Sequence, residues 1–190
     1  MRNSSLILIL FPPLLIAQPS FSAADIATNK DGAASVFAAD MDNDGDMDIV
    51  SASLVDDAIV WYENNGDPDP SWTAADITTS ADGAYSVFAA DMDNDGDMDI
   101  VSASFSDDAI AWYENDGAAD PSWTAADITT SADGASSVFA ADMDNDGDMD
   151  IVSASENDDK IAWYENNGAA DPSWTAADIA TSADNVVSVF

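Results

Sequence analysis

The chain contains no cysteine and no histidine. Without cysteine there is no disulfide framework and no thiolate metal site. Without histidine the commonest general base is missing, and with it the Ser-His and Cys-His nucleophile pairs and most zinc sites. Positive charge is almost absent too: Arg2, Lys30 and Lys160 stand against 38 acidic residues, for a formal charge of −35 over 190 residues. Such a chain repels nucleic acid and anionic membrane surfaces, which excludes both as partners, and it attracts cations. Strong acidity alone would suit a disordered chain, but disordered acidic chains lack aromatic and β-branched residues. Here 47% of residues are hydrophobic and six are tryptophan, enough to bury a core.

No long apolar run is present either. The longest, Leu6 to Ala17, is twelve residues broken by Pro12 and Pro13, short of the ~20 residues that a membrane-spanning helix needs. It follows Arg2 and precedes the small residues Ser20 to Ala24. That order predicts a secretory signal peptide over residues 1–24, cleaved near Ser22 to Ala24, with no membrane insertion after its removal. The expected location is extracellular or at the cell surface.

What the chain has in abundance is repetition. Residues 25–190 form tandem units with a 51-residue period, because Asp40, Asp91 and Asp142 open identical nine-residue stretches, DMDNDGDMD. The units Ser71–Pro121 and Ser122–Pro172 differ only at Tyr85/Ser136, Phe105/Glu156, Ser106/Asn157, Ala109/Lys160 and Asp116/Asn167. Phe190 aligns with Phe139, so a fourth unit begins without its acidic stretch, and the expectation is a fragment of a longer gene product.

Each unit reads as four short strands. In the second they are Tyr85–Asp91, Met98–Ser104, Asp108–Asn115 and Ser122–Thr130, rich in β-branched and aromatic residues and separated by Gly, Pro, Asn and Asp. None shows the apolar spacing of a helix. The predicted fold is all-β: propeller-like tandem blades of about 51 residues and four strands each, about three in number and therefore incomplete. The aromatic sets Trp61/Tyr62/Trp72, Trp112/Tyr113/Trp123 and Trp163/Tyr164/Trp174 recur at fixed positions, which predicts packing between blades ahead of sugar stacking.

The acidic stretch places five aspartates in nine residues. Two unit charges ~4 Å apart repel by ~4 kcal/mol at the effective dielectric of a protein surface. A dication reverses that sign, and oxygen ligands at alternate loop positions suit calcium, which accepts six to eight of them. In the second unit Asp91, Asp93 and Asp95 can converge at positions 1, 3 and 5, and Gly96 permits a sharp turn. Asp97 would offer its backbone carbonyl, and Asp99 at position 9 another carboxylate. Met92 and Met98 would point into the sheet. An EF-hand needs a Glu at position 12, where this chain has Ser51, Ser102 and Ser153.

The run SVFAADMDNDGDMDIVSAS followed by IAWYEN and Gly resembles the FG-GAP/VCBS repeats, relatives of the calcium-loop blades of the integrin α-subunit head. The resemblance covers Asp25 to Phe190, although the literal Gly-Ala-Pro of the family name is missing. It implies a β-propeller, typically of seven blades, with one Ca²⁺ in the loop between two strands of each blade. Carried over by position, the ligands are Asp40, Asp42, Asp44, Asp46 (main chain) and Asp48. Their equivalents are Asp91, Asp93, Asp95, Asp97 and Asp99, then Asp142, Asp144, Asp146, Asp148 and Asp150. Three repeats imply about three ions.

The expected function is that of a secreted, non-enzymatic calcium-binding module for extracellular binding or adhesion, with calcium mainly structural and the partner an extracellular protein or glycan. The turns that vary between repeats, at Leu54, Phe105, Glu156 and Lys160, are where partner contacts are expected, and Glu156 and Lys160 are expected to pair. Open blade faces predict self-association or a need for further blades. The alternatives are the propeller part of a secreted carbohydrate-active lyase or dehydratase, and a surface-layer spacer. An active site would have to break the repeat symmetry, which only Glu156, Asn157, Lys160 and Lys30 do with polar groups.

Overall fold

The computed structural model describes residues 23–190; the predicted signal peptide falls almost wholly outside them. Among the described residues every element is a strand. The first unit holds β1 (Ala33–Ala39), β2 (Asp48–Ser53), β3 (Ala58–Asn64) and β4 (Trp72–Thr78). The second holds β5 (Ala84–Ala90), β6 (Asp99–Ser104), β7 (Ala109–Asn115) and β8 (Trp123–Thr129). The third holds β9 (Ala135–Ala141), β10 (Asp150–Ser155), β11 (Lys160–Asn166) and β12 (Trp174–Ala180). Each unit folds into one antiparallel four-stranded sheet with its strands in sequence order. These are three propeller-like blades that do not close a ring, as the repeat predicts.

Blades stack through their first strands. Ser and Ala dominate β1, β5 and β9, so neighbouring backbones approach closely: Val87 N–H donates to Ser35 Oγ and Val138 N–H to Ser86 Oγ, both at 3.3 Å. Phe37, Phe88 and Phe139 form a ladder along this inner row, with ring centroids 4.6 and 4.9 Å apart. Aromatic pairs at such separations prefer offset or edge-on geometry, and the two interplanar angles, 49° and 61°, are of that kind.

One core forms at each junction, and a smaller cluster of Ala58, Val60 and Tyr62 lies within the first blade. Val50, Ile59 and Trp61 of the first blade pack against Val87, Ile100 and Tyr113 of the second. Val101, Ile110 and Trp112 repeat the arrangement against Val138, Ile151 and Tyr164 of the third. Of the recurring aromatics, Trp61, Trp112, Tyr113 and Tyr164 are buried at the junctions, Tyr62 is buried within the first blade, and Trp72, Trp123 and Trp174 pack half-buried against these clusters. Burying a side chain of this kind contributes roughly 1.5–3 kcal/mol.

At the end of the blades away from the acidic stretch, a second aspartate set ties neighbours together. Asp57 and Asp108 take left-handed backbone conformations, and their carboxylates accept the Gly83 and Gly134 N–H groups at 2.9 and 3.0 Å. Part of the acidity is thus spent on backbone capping. The same end carries the repeat-breaking turns, where Tyr85 and Phe105 meet at 6.1 Å. Lys160 pairs with Asp158 at 3.0 Å in place of the expected Glu156. Lys30 pairs with Asp76 at 2.9 Å.

Candidate metal centre

Each acidic stretch is the connection between the first and second strands of a blade. Its path follows from two left-handed residues, Asn43 and Gly45 in the first blade and their equivalents Asn94, Gly96, Asn145 and Gly147. Asn is among the few side chains that accept this region without large strain. Gly96 sits at φ +100° with nothing within 4 Å of a would-be Cβ, so backbone conformation and not space demands the glycine.

The turn gathers the first three alternate aspartates. Asp40, Asp42 and Asp44 each present a carboxylate oxygen, and the three oxygens lie within 4.8 Å of one another; Asp91, Asp93 and Asp95, and Asp142, Asp144 and Asp146, do the same. The same carboxylates also hold the turn. Asp40 Oδ1 and Oδ2 accept the Asp44 and Gly45 N–H groups at 3.1 and 3.0 Å, and Asp44 Oδ1 accepts the Asp46 N–H at 2.9 Å. The other two loops repeat these bonds. Neither ion pair among the described residues reaches a loop, so each triad carries uncompensated like charge.

Burial and neighbouring charge act in the same sense on the ionisation of the third-position residues. Partial burial raises Asp42 above the ordinary carboxylate value against the Asp44 N–H that lowers it, with the adjacent carboxylates adding to the rise, and exposed Asp144 is raised by desolvation and then by the Asp146 charge. Asp93 is raised likewise, by burial and then by the Asp95 charge. A nearby dication favours the ionised form and so opposes this upward shift. Hard oxygens, close convergence and unmatched negative charge all fit a cation such as calcium.

Position 9 lies at the base of the loop, deeper than the triad. Asp48, Asp99 and Asp150 stand outside the triads and are buried at the base of the loop. Asp99 Oδ2 accepts the Met92 N–H at 3.0 Å and Oδ1 the Asn115 N–H at 2.8 Å. Asp48 and Asp150 make the equivalent bonds. This carboxylate clamps the loop to the third strand. Burial pushes Asp99 up to about 7 despite those two donors; the Trp112 indole N–H lowers it slightly from outside hydrogen-bond geometry.

Position 7 also has a side-chain task that the spacing did not reveal. Asp97 Oδ1 accepts Asn43 Nδ2 of the preceding loop at 2.6 Å, and Asp148 Oδ1 accepts Asn94 Nδ2 at 2.7 Å. A Cβ at Gly117 would collide with the Asp97 carboxylate, which explains the glycine after each third strand. Two further residues escaped the sequence reading. Asn115 Nδ2 donates to Met41 O of the preceding loop and Met98 O of its own, at 2.8 and 3.0 Å, and Asn166 does the same to Met92 O and Met149 O. Their only sequence signal was recurrence at the end of IAWYEN. Met41 and Met92 are fully buried beneath these bonds, as the alternation predicts, but Met47 is exposed.

The sequence pattern of the FG-GAP-like repeat matches residues 40–102, 91–153 and 142–190. The chain belongs to the FG-GAP-like repeat family. The overlapping matches each begin at an acidic loop and run through the next one, where the chain continues that far, so the loop anchors this FG-GAP-like repeat as it does the blade. No curated protein sequence matches the chain. Among solved structures, a lectin of Agrocybe aegerita aligns with a TM-score of 0.53 at 19% identity, over 78% of this chain and 38% of that one. That lectin is described as specifically recognising non-reducing terminal N-acetylglucosamine. At this identity the likeness is one of fold, and this chain spans well under half of the lectin's length.

Proposed function

We propose that this FG-GAP-like repeat protein is an exported, non-catalytic binding module whose blades are stabilised by one Ca²⁺ in each acidic loop. The observation that carries the reading is the threefold convergence of carboxylates at Asp40/Asp42/Asp44 and its equivalents. A calcium ion at each supplies the positive charge that the loop lacks. The chain's own residues would hold it: the triad carboxylates provide the hard oxygens, Asp46, Asp97 and Asp148 offer main-chain carbonyls, and Asp48, Asp99 and Asp150 brace the loop from below.

The partner surface is the opposite end of the blades. There the repeats diverge, presenting Leu54 and Val55, then Tyr85 beside Phe105, then Glu156 and Lys160. The ions, buttressed in strict repeats, hold the scaffold while the divergent end selects. The lectin likeness makes glycans the first partner class to test. Titrating the chelated protein with Ca²⁺ by calorimetry should give about three ions bound per chain. A glycan panel including terminal N-acetylglucosamine should then show calcium-dependent retention that Tyr85→Ala/Phe105→Ala reduces at least tenfold. Absence of any calcium heat refutes the metal reading, and retention unaffected by the double substitution refutes this surface.

A further inference from the structure

At each junction between blades, neighbouring acidic loops are tied by a side-chain bond. It starts between two residues of one triad and ends on a residue held by the next. Asn43 lies between Asp42 and Asp44 in a left-handed conformation, φ 60°. Its Nδ2 donates to Asp97 Oδ1 at 2.6 Å. The Asp97 N–H in turn donates to Asp95 Oδ1 at 2.9 Å, and Asp95 belongs to the second triad. The same line of bonds runs from Asn94 (φ 62°) to Asp148 at 2.7 Å, and from Asp148 to Asp146 at 3.0 Å. The three loops are thus joined in series.

A second contact crosses each junction, but its surroundings make it a fixed one. Asn115 and Asn166 are buried, as are Met41 and Met92, whose carbonyls they reach. Breaking such a bond strands buried polar groups, so it stays made when the loops loosen. The Asn43–Asp97 bond is exposed, and water can replace either partner. Its formation depends on how firmly the left-handed turn holds Asn43. That turn is the one whose converging carboxylates repel until a cation joins them.

We infer that the Asn43–Asp97 and Asn94–Asp148 bonds make calcium binding cooperative from blade to blade. A filled loop fixes its Asn, which fixes Asp97 or Asp148 and spares the next loop part of its ordering cost. The inference rests on the calcium reading of the loops and adds a regulation to it. A ligand that orders one site lowers the cost of ordering a coupled one, and the coupling is reciprocal. Long-range charge acts with the opposite sign, because an ion in one loop makes its neighbour less attractive to a second ion.

Chelator-buffered calcium titration of the full chain, followed by the amide NMR signals of Gly45, Gly96 and Gly147, tests it loop by loop. Asp42→Ala/Asp44→Ala disables the first loop, which loss of the Gly45 response verifies. These substitutions remove as much negative charge as a dication would neutralise, so long-range charge matches that of a filled loop. The free-calcium midpoint at Gly96 should then rise about fivefold. Asn43→Gly keeps the left-handed turn and removes the amide, and Asp97→Ala keeps the main-chain carbonyl and removes the acceptor. In either background, disabling the first loop should no longer move the Gly96 midpoint. A midpoint that fails to rise when the first loop is disabled overturns the inference, as does a rise that persists in the Asn43→Gly or Asp97→Ala background. In those cases a wild type whose three glycines all titrate leaves the metal reading standing. A wild type with no calcium response at any of the three removes the metal reading and this inference with it.

Discussion

At the residue scale, the acidic loop divides its carboxylates between two physical tasks that the spacing alone makes look alike. Carboxylate oxygens at positions 1, 3 and 5 converge, whereas position 9 is buried and accepts two backbone N–H groups. The second task has a pH signature in the chelated protein. Asp99 is raised from the ordinary carboxylate value to about 7, so between these values the folded state binds more protons than the unfolded one. Stability from this group is therefore present in full below the unfolded value near 4 and is lost as pH rises through about 7. The melting temperature of metal-free protein should fall from pH 5 to pH 8. With calcium the order should reverse, because protons compete with the ion for the loop. A metal-free melting temperature that climbs across this range would contradict the assignment of Asp99 as a buried, proton-holding clamp.

At the scale of the element, the third strand ends in the same Asn in every blade, but its surroundings differ. Asn115 is buried and its amide bridges two loops, whereas Asn64 Nδ2 donates only within its own blade, to an exposed acceptor. Removing a buried donor leaves two carbonyls unsatisfied and costs roughly 1–3 kcal/mol for each such buried group. Asn115→Ala should destabilise by about 2–4 kcal/mol in denaturant unfolding of dilute protein, and Asn64→Ala by under about 1 kcal/mol, a surface-level effect. Equal costs would mean that the inter-blade bridge carries no special weight. The strands themselves were legible from the sequence. Predicted runs such as Asp108–Asn115 and Ser122–Thr130 agree with β7 and β8 to within a residue at each end, because strong β-formers stop sharply at Gly, Pro and Asp turns. The bridging Asn residues were not legible, since their partners lie one repeat away and recurrence cannot distinguish a bridge from a turn residue.

For the whole molecule, the dominant fact is charge. Three dications would cancel six of the 35 excess negative charges, so self-repulsion persists after metal binding and must be offset by packing and screening. Two responses follow. Saturating calcium should raise stability by about 2.7 kcal/mol for each site filled at a hundredfold excess over its dissociation constant. Adding monovalent salt to the chelated protein should also raise its melting temperature, as charges farther apart than the Debye length of ~10 Å at 0.1 M become screened. Scanning calorimetry across a salt and calcium grid measures both effects. A flat response to calcium would refute the loops as metal sites, and a melting temperature lowered by salt would show that attraction, not repulsion, dominates the apo surface.

The sequence by itself determined the blade: its period, its four strands, its turns and the three aspartates that meet in each loop. All of these depend on neighbours within one repeat, where alternation and turn chemistry are decisive. Tertiary structure alone decided which carboxylates are exposed and which is buried against the core, how Asn43 reaches Asp97, and that Lys160 takes Asp158. It also decided which copies of an identical side chain are buried, because burial depends on whether another blade lies alongside. Met92 and Met143 occupy the same place in the same sequence motif, and only the presence of a next blade separates them.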